Sequence, residues 1–372
     1  MGSAPTLNQQ LARPWVETPC LYSAALSKTA GCHIYLKLEN HQPSGSFKSR
    51  GIGNLMVRAV AKARDESGGT ADVHFYCSSG GNAGLACATA ARELDSPATI
   101  VVPTTTSPYM IAKLQSLCDD VRVHGANWAA ADQHLREAVM VPSKDATGAA
   151  VATHVKRVYV PPFDHPDIWD GAATLVEEVA AQLGPAGVHP DAFVCSVGGG
   201  GLLCGLMQGM ERVYGPEAPT KVLAVETAGA ESLAASITAG QLVTLPRISS
   251  IATSLGCSRV AEQAYAWYRN RPKAVVPLVV TDAEAVDAIV HFLDDTRLLV
   301  EPACGAALAP LYTPAPASAV AEPGKPTSLL RHHLGAGMSD VEWAEQKVVM
   351  VVCGGSNISL DILAGFRERF GV

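Results

Sequence analysis

The sequence has no long hydrophobic run. Its longest uninterrupted apolar stretch lies at residues 348–353, whereas a helix that crosses a bilayer needs roughly 20 apolar residues. The N-terminal residues up to Pro14 contain no basic segment followed by an apolar one, which is the pattern of a signal peptide. We therefore expect a cytoplasmic protein that does not have a membrane as a partner.

An excess of positive charge is also missing. The chain carries 28 lysines and arginines against 35 aspartates and glutamates, which gives a net charge of −7 and a pI near 5.9. This balance argues against nucleic acid as a partner, because binding to a phosphate backbone needs a basic surface. With 48% hydrophobic and 17% charged residues over 372 positions, the composition is typical of a folded α/β enzyme and excludes a disordered chain.

Paired cysteines and clustered histidines are absent as well. None of the ten cysteines forms a C-x-x-C pair, and the eleven histidines have no metal-ligand spacing. Several cysteines lie within apolar runs, so the sequence favours buried free thiols in a reducing compartment over disulfides or a zinc site.

Strand patterns and helix patterns alternate along most of the sequence. Such alternation predicts an α/β fold in which helices cover both faces of parallel sheets. In sheets of this kind, ligands bind beyond the carboxyl ends of the strands. The glycine-rich loops that follow strands near Ser78, Gly198 and Gly354 are therefore the candidate ligand sites.

Lys48 lies between a strand pattern at residues 34–38 and a helix pattern at residues 52–63. The partial positive charge at a helix start disfavours a cation, so a lysine there loses its proton more readily and becomes a nucleophilic amine. The other interpretation is an exposed lysine without a function, and this segment alone favours that interpretation.

Four consecutive glycines, Gly198, Gly199, Gly200 and Gly201, follow a buried strand pattern and precede a helix. Their unobstructed N–H groups and the positive helix end form a site suited to a phosphate. No Gly-Lys-Ser/Thr follows, and the third glycine of a dinucleotide fingerprint is missing. A tight turn is the alternative, and we favour anion binding.

The loop at residues 78–82 offers two hydroxyls, an amide and open backbone donors at another helix start. This combination suits a carboxylate. A plain strand-to-helix turn with Asn82 as the cap fits the same residues equally well. Cys353, at the end of the last strand pattern, is by default a core cysteine.

A lysine at a helix start, a phosphate site and a carboxylate site together indicate pyridoxal 5'-phosphate acting on an amino acid. In this hypothesis Lys48 forms a Schiff base with the cofactor, and the tetraglycine loop holds the phosphate. The partner is then a small amino-acid substrate.

Seven segments resemble the pyridoxal-phosphate-dependent serine/threonine dehydratases, and most closely the eukaryotic-type L-serine dehydratases. They occur in the order typical of that family and cover the chain from about residue 15 onward, apart from residues 313–345. The segments are 43–51 (PSGSFKSRG), 78–84 (SSGGNAG), 161–169 (PPFD with IW at its end), 196–205 (SVGGGGLLCG), 225–232 (VETAGAES), 300–308 (VEPACGAAL) and 352–359 (VCGGSNIS).

The resemblance implies the tryptophan-synthase-β-like fold, fold type II, with two parallel-sheet-based α/β domains. The small domain is expected at residues 35–149. The large, cofactor-binding catalytic domain would comprise residues 1–34 and 150–372, with an insertion at about 313–345 that we expect to be exposed and to contain a short helix. The resemblance also implies a homodimer.

The resemblance gives each cofactor-site residue an expected role. Lys48 would be the catalytic Schiff-base lysine, with Phe47 beside the cofactor ring. Asn82 would bind the ring hydroxyl, and Cys353 would face the pyridine nitrogen. The phosphate would be held by Gly198, Gly199, Gly200 and Gly201.

The resemblance also implies a substrate site and a cation site. The substrate carboxylate would be bound by Ser79, Gly80, Gly81, Asn82 and Ala83. Some close relatives have alanine at the position of Gly80, which borders the substrate. A monovalent cation, expected to be K⁺, would be bound by Glu226, Ala230, Ser232, Leu255 and Cys257.

The implied activity is that of an L-serine ammonia-lyase. It would give pyruvate and ammonia by β-elimination, with L-threonine to 2-oxobutyrate as a second activity. Two alternatives stay open: elimination or β-replacement on another β-substituted amino acid, and a cofactor-binding homologue without turnover.

Overall fold

The structure is a computed structural model, and it describes residues 13–141, 155–316 and 327–372. The strands are β1 Cys20–Tyr22, β2 His33–Lys37, β3 Asp72–Cys77, β4 Ala98–Val102, β5 Asp120–Val123, β6 Val155–Tyr159, β7 Ala192–Ser196, β8 Lys221–Thr227, β9 Val275–Val280 and β10 Lys347–Val351. The helices are α1 Ala24–Ala30, α2 Lys48–Ser67, α3 Asn82–Glu93, α4 Pro108–Gln115, α5 Trp128–His134, α6 Pro166–Leu183, α7 Gly201–Tyr214, α8 Ser232–Ala239, α9 Glu262–Asn270, α10 Asp282–Thr296, α11 Pro302–Tyr312, α12 Leu329–Leu334, α13 Asp340–Ala344 and α14 Leu360–Phe370.

The chain divides into two compact units. The smaller unit, named here the lysine unit, contains Met1–Val16 and Lys48–Gly171. The larger unit, named the glycine unit, contains Glu17–Phe47 and Ala172–Val372. The domain division expected from the sequence, with bounds at residues 35 and 149, stays a prediction.

The lysine unit is built on a four-stranded sheet in the order β5-β4-β3-β6. All of its strand pairs are parallel. Phe75 of β3, Ile100 of β4 and Met56 of α2 are fully buried in one apolar cluster that also includes α3. The loops after β3 and β6 leave neighbouring strands at the same edge of this sheet.

The glycine unit is built on a six-stranded sheet in the order β1-β2-β10-β7-β8-β9. Only β1 is antiparallel to its neighbour. Every residue of β7 is buried, as expected for a strand covered on both faces. Because β10, β7 and β8 are parallel neighbours, the residues that follow them lie along one edge.

The structure adds one strand and corrects one expectation. Strand β9 was not among the predicted elements, and it contains Pro277; proline is tolerated in a strand only at an edge or a bulge. β9 is such an edge strand. The insertion at 313–345 was expected to be exposed, but the part after residue 326 forms α12 and α13, and Trp343 is 1% exposed.

The start of α2 and the state of the cysteines agree with the expectations from the sequence. The helix after Lys48 begins at Lys48 itself, which is where the sequence predicts its start. All ten cysteines are free and eight of them are buried, as the sequence indicated. Of the N-terminal residues up to Pro14, which the sequence indicates to be a loose arm, only Arg13 and Pro14 lie within the described residues.

The described ranges contain no helix that is long and apolar enough to span a membrane. Within the same ranges, no group of three or more histidine, cysteine, aspartate or glutamate side chains is arranged to hold a metal ion.

Candidate active site

Lys48 is the first residue of α2 in the lysine unit. Its Nζ donates a hydrogen bond to the carbonyl oxygen of Pro162, over 2.5 Å. The same atom lies 5.9 Å from the centroid of the Phe163 ring. The loop after β6 therefore supports the amine, although the sequence analysis assigned no role to that loop beyond its family resemblance.

The sequence predicts a carboxylate site in the loop between β3 and α3. Gly81 is the N-cap of α3, and its N–H donates to the Ser79 hydroxyl over 3.2 Å. Asn82 and Ala83 are buried in the first turn. The first N–H groups of a helix have no intrahelical acceptor, so this turn presents donors to an anion.

Gly80 lies in close contact with Thr106. A Cβ at position 80 would lie 2.3 Å from Thr106 Oγ1 and 2.7 Å from Cγ2. A side chain at this position would therefore require Thr106 to move. Thr106 was missed by sequence reasoning, since it lies 26 positions away and has no motif of its own.

In the glycine unit, the tetraglycine loop leads from β7 into α7. Gly200 is the N-cap and has a left-handed backbone, with φ of 87°. A Cβ at Gly198 would lie 2.9 Å from the Cα of Leu255, so no side chain fits there. The loop offers backbone N–H groups ahead of the first helical turn, and this donor set fits a phosphate.

Cys353 follows β10, the strand next to β7, and is buried. Its Sγ lies 3.4 Å from the hydroxyl oxygen of Ser196. A hydrogen bond with Cys304 and burial together raise the pKa of the Cys353 thiol well above its usual value. A neutral thiol fits a pyridine nitrogen that carries no proton.

Phe47 is held beside Cys353. Its backbone N–H donates to the carbonyl of Cys353 over 3.0 Å, and Ser46 forms a bridge with Gly354. Phe47, the tetraglycine loop and Cys353 thus belong to the same edge of the six-stranded sheet. Sequence reasoning missed Ser196 and Cys304 as neighbours of Cys353, because only the fold brings these three residues together.

Glu226 lies at the end of β8, which is the other neighbour of β7. Its carboxylate accepts hydrogen bonds from the N–H groups of Leu233 and Ala234, each over 2.8 Å. Burial raises the pKa of Glu226 to about 7. In the described part of the chain, the buried Ser232 hydroxyl has no hydrogen-bond partner.

The other expected cation ligands are less clearly grouped. Ala230 is fully buried on the same connection between β8 and α8. Leu255 lies against Gly198, and its carbonyl accepts the N–H of Cys257 over 2.6 Å. The thiol of Cys257 donates to the carbonyl of Arg259. The Glu226 carboxylate in β8 and the Ser232 hydroxyl at the start of α8 flank one connection. Both groups offer oxygen ligands of the kind that a hard cation takes.

Comparisons with known proteins show which proteins the chain is similar to. The chain is 44% identical to "L-serine dehydratase/L-threonine deaminase" of Bos taurus, over 96% of each chain. It is 36% identical to "Catabolic L-serine/threonine dehydratase" of Saccharomyces cerevisiae, over 88% of this chain and 84% of that protein. A fungal L-serine ammonia-lyase from Rhizomucor miehei matches with a TM-score of 0.78 and 34% identity, over 96% of this chain and 99% of that chain.

The structural match and the parallel sheets confirm the predicted fold class. The model of the family "Pyridoxal-phosphate dependent enzyme" matches residues 12–325. That range contains Lys48, both glycine-rich loops and Glu226, and the relatives confirm the resemblance seen in the sequence. The chain therefore belongs to the pyridoxal-phosphate dependent enzyme family.

Proposed function

We propose that the chain is an L-serine ammonia-lyase, which converts L-serine to pyruvate and ammonia and also converts L-threonine to 2-oxobutyrate. The observation that carries the proposal is Lys48 at the start of α2, with its amine on the Pro162 carbonyl, in a chain that also has the phosphate-type and carboxylate-type loops. The names of the bovine, yeast and fungal relatives support the same reaction.

The chain's residues fit pyridoxal phosphate by their donor chemistry. The N–H groups of Gly198, Gly199, Gly200 and Gly201 would hold the phosphate, with Phe47 beside the ring. Asn82 would donate to the ring hydroxyl, and Cys353 would face the pyridine nitrogen. When bound, the cofactor supplies a carbon that bonds to an amine and a ring that withdraws electrons from the substrate Cα.

Lys48 would act twice. Its amine would first be the group that bonds to the cofactor. Once the substrate amine has replaced it, the freed Lys48 amine would remove the α-proton as a general base. The Pro162 carbonyl that now accepts from Nζ would hold the protonated amine in place.

The substrate carboxylate would be bound at the start of α3. Ser79, Gly80, Gly81 and Ala83 would surround it, and Asn82 lies in the same turn. The β-hydroxyl would leave as one water molecule, and the later hydrolysis that releases ammonia would consume one water molecule. The reaction therefore balances, and each serine yields one pyruvate and one ammonia.

The neutral thiol of Cys353 would limit the side reactions. Because a neutral thiol does not stabilise a proton on the pyridine nitrogen as a carboxylate would, Cys353 would leave the bound cofactor a weaker acceptor of electrons. Such an environment would favour elimination over transamination.

The remaining parts of the proposal rest on the family resemblance. A monovalent cation, K⁺ in the first instance, would bind near Glu226 and Ser232, with Ala230, Leu255 and Cys257 completing the site.

The protein would be a cytoplasmic homodimer. Sedimentation analysis tests the dimer, and a mass of one 38.8 kDa chain at micromolar concentration would contradict it.

The test is a panel of β-substituted amino acids with detection of keto acids, run with and without potassium. We expect pyruvate from L-serine, 2-oxobutyrate from L-threonine, and faster turnover with potassium. Keto acid from neither substrate would overturn the proposal. Turnover of another β-substituted amino acid would then indicate a different elimination or a replacement, and a protein that binds the cofactor but turns over nothing would indicate a non-catalytic homologue.

A further inference from the structure

Asp132 of α5 contacts the carboxyl ends of two neighbouring strands in the lysine unit. The hydroxyl groups of Ser78 and Tyr159 both donate to its Oδ1, each over 2.6 Å. Nε of Arg136, one helical turn further on, lies 2.9 Å from its Oδ2. Both carboxylate oxygens are therefore engaged, and the Asp132 side chain is only 13% exposed.

The carboxylate is held in place by the core. Ala131 and Leu135, on either side of Asp132, are fully buried in a cluster with Tyr76 and Val101 of the sheet. The Arg136 guanidinium lies 3.9 Å from the centroid of the Tyr159 ring. Burial is the main cause that raises the pKa of Tyr159 to about 12, so its hydroxyl remains a donor at neutral pH.

The two strands lead directly into the two functional loops. Ser78 follows β3 and precedes Ser79 of the carboxylate loop. Tyr159 ends β6, three residues before Pro162, whose carbonyl accepts from Lys48. The strands are parallel neighbours, and the N–H of Val160 donates to the carbonyl of Tyr76 over 2.8 Å.

We infer that Asp132 is a positioning residue that fixes the spacing between the substrate carboxylate loop and the Pro162 carbonyl that supports the Lys48 amine. The roles of the two loops rest on the proposed function. A general base must lie within hydrogen-bond reach of the proton it removes, and displacement of about 1 Å lowers rates by up to roughly a hundredfold. A carboxylate that bridges both loops controls that distance without touching the substrate.

The chain offers a matched control. Asp120, at the start of β5 in the same sheet, also accepts from a hydroxyl and an arginine, Thr99 Oγ1 and Arg122 Nε, each over 2.8 Å. Its strand end is the amino end, away from the functional loops. Asp120→Ala thus removes the same kind of interaction without disturbing the Ser78 or Pro162 loop.

Steady-state kinetics of the holoenzyme with L-serine test the inference. We expect Asp132→Ala to raise KM and lower kcat, with kcat/KM down roughly tenfold to a hundredfold. Asp120→Ala should stay within about twofold. Asp132→Asn keeps the shape and one acceptor and should recover much of the loss. Tyr159→Phe removes one hydrogen bond and keeps the ring against Arg136, and it gives the same test with little risk to folding.

Amide hydrogen exchange measures the loops without any need for turnover. Asp132→Ala should speed exchange at residues 79–84 and at Val160, Phe163 and Asp164, and Asp120→Ala should not. A failure of the proposed function would be visible as an inactive wild type, and the exchange result would still report on Asp132. Unchanged kinetics and exchange in Asp132→Ala, with only a lower unfolding temperature, would overturn the inference.

Discussion

Gly80, which the proposed function places beside the substrate carboxylate, also lies in close contact with Thr106. Gly80→Ala places a methyl carbon 2.3 Å from Thr106 Oγ1, so we expect a loss of about 1–3 kcal/mol in the free energy of unfolding. The reduced freedom of the unfolded chain offsets only about 0.4–1 kcal/mol of that loss. Urea unfolding of the variant measures the difference.

The double variant Gly80→Ala with Thr106→Ala is the control for this contact. Removing the Oγ1 and Cγ2 atoms that meet the new methyl should restore most of the lost stability. A single Gly80→Ala variant as stable as the wild type would show that Thr106 rotates away without cost.

The raised pKa of Glu226 leads us to expect that potassium stabilises the folded protein to a degree that depends on pH. Its pKa rises from 4.5 in the unfolded chain to about 7 in the folded one because the group is buried. The folded state therefore binds the proton more tightly, and the resulting stability is present below the unfolded pKa and is lost as the pH rises through 7. A cation beside the carboxylate favours its charged form and opposes this loss.

Thermal unfolding checks the prediction. Potassium should raise the unfolding temperature more at about pH 8 than at about pH 5. Glu226→Gln should remove the difference between the two conditions. An equal rise at both pH values would mean that potassium does not act at Glu226.

At the scale of elements, the segment after residue 326 belongs to the core of the glycine unit. Trp343 of α13 is 1% exposed, and its Nε1 donates to the carbonyl of Ala30 over 2.8 Å. We expect Trp343→Ala to cost about 3–5 kcal/mol of stability. Trp343→Phe loses part of the ring volume and the hydrogen bond to Ala30, and the lost hydrogen bond should add about 1 kcal/mol to the cost of the lost volume.

Trp128 provides the comparison for that experiment. It is 45% exposed, so Trp128→Ala should change the unfolding free energy by about 0.5 kcal/mol or less. If Trp343→Ala and Trp128→Ala had equal effects in a denaturant titration, α13 would be a dispensable surface element.

The strands and loops differ in how far their sequences specify them. The tetraglycine loop and the loop at 78–82 were predictable because a glycine-rich turn between a strand and a helix is a local pattern. β9 was not predicted, since the decision between an edge strand and a loop at Pro277 depends on whether β8 is available to pair with it. The burial of Trp343 depends in the same way on α1, more than 300 positions earlier.

At the scale of the whole molecule, the sequence predicted the fold and the motif residues. It did not predict the side-chain contacts that hold the motif loops in place. Lys48, Gly198 and Cys353 stand in motifs that family resemblance identifies. Thr106 and Asp132 stand in none, because their partners are distant in the sequence and only packing brings them together. The roles of the motif residues and the domain bounds stay predictions, since likeness of sequence and fold does not by itself test a site.

The central claim is that Lys48 is the residue to which the cofactor bonds. Borohydride reduction of the purified holoprotein, followed by proteolysis and mass spectrometry of the peptides, tests it most directly. The account predicts the pyridoxyl group on the peptide that contains Lys48, and its absence after the same treatment of Lys48→Ala. A pyridoxyl group on any other lysine, or on no peptide of a protein that carries the cofactor, would contradict the account.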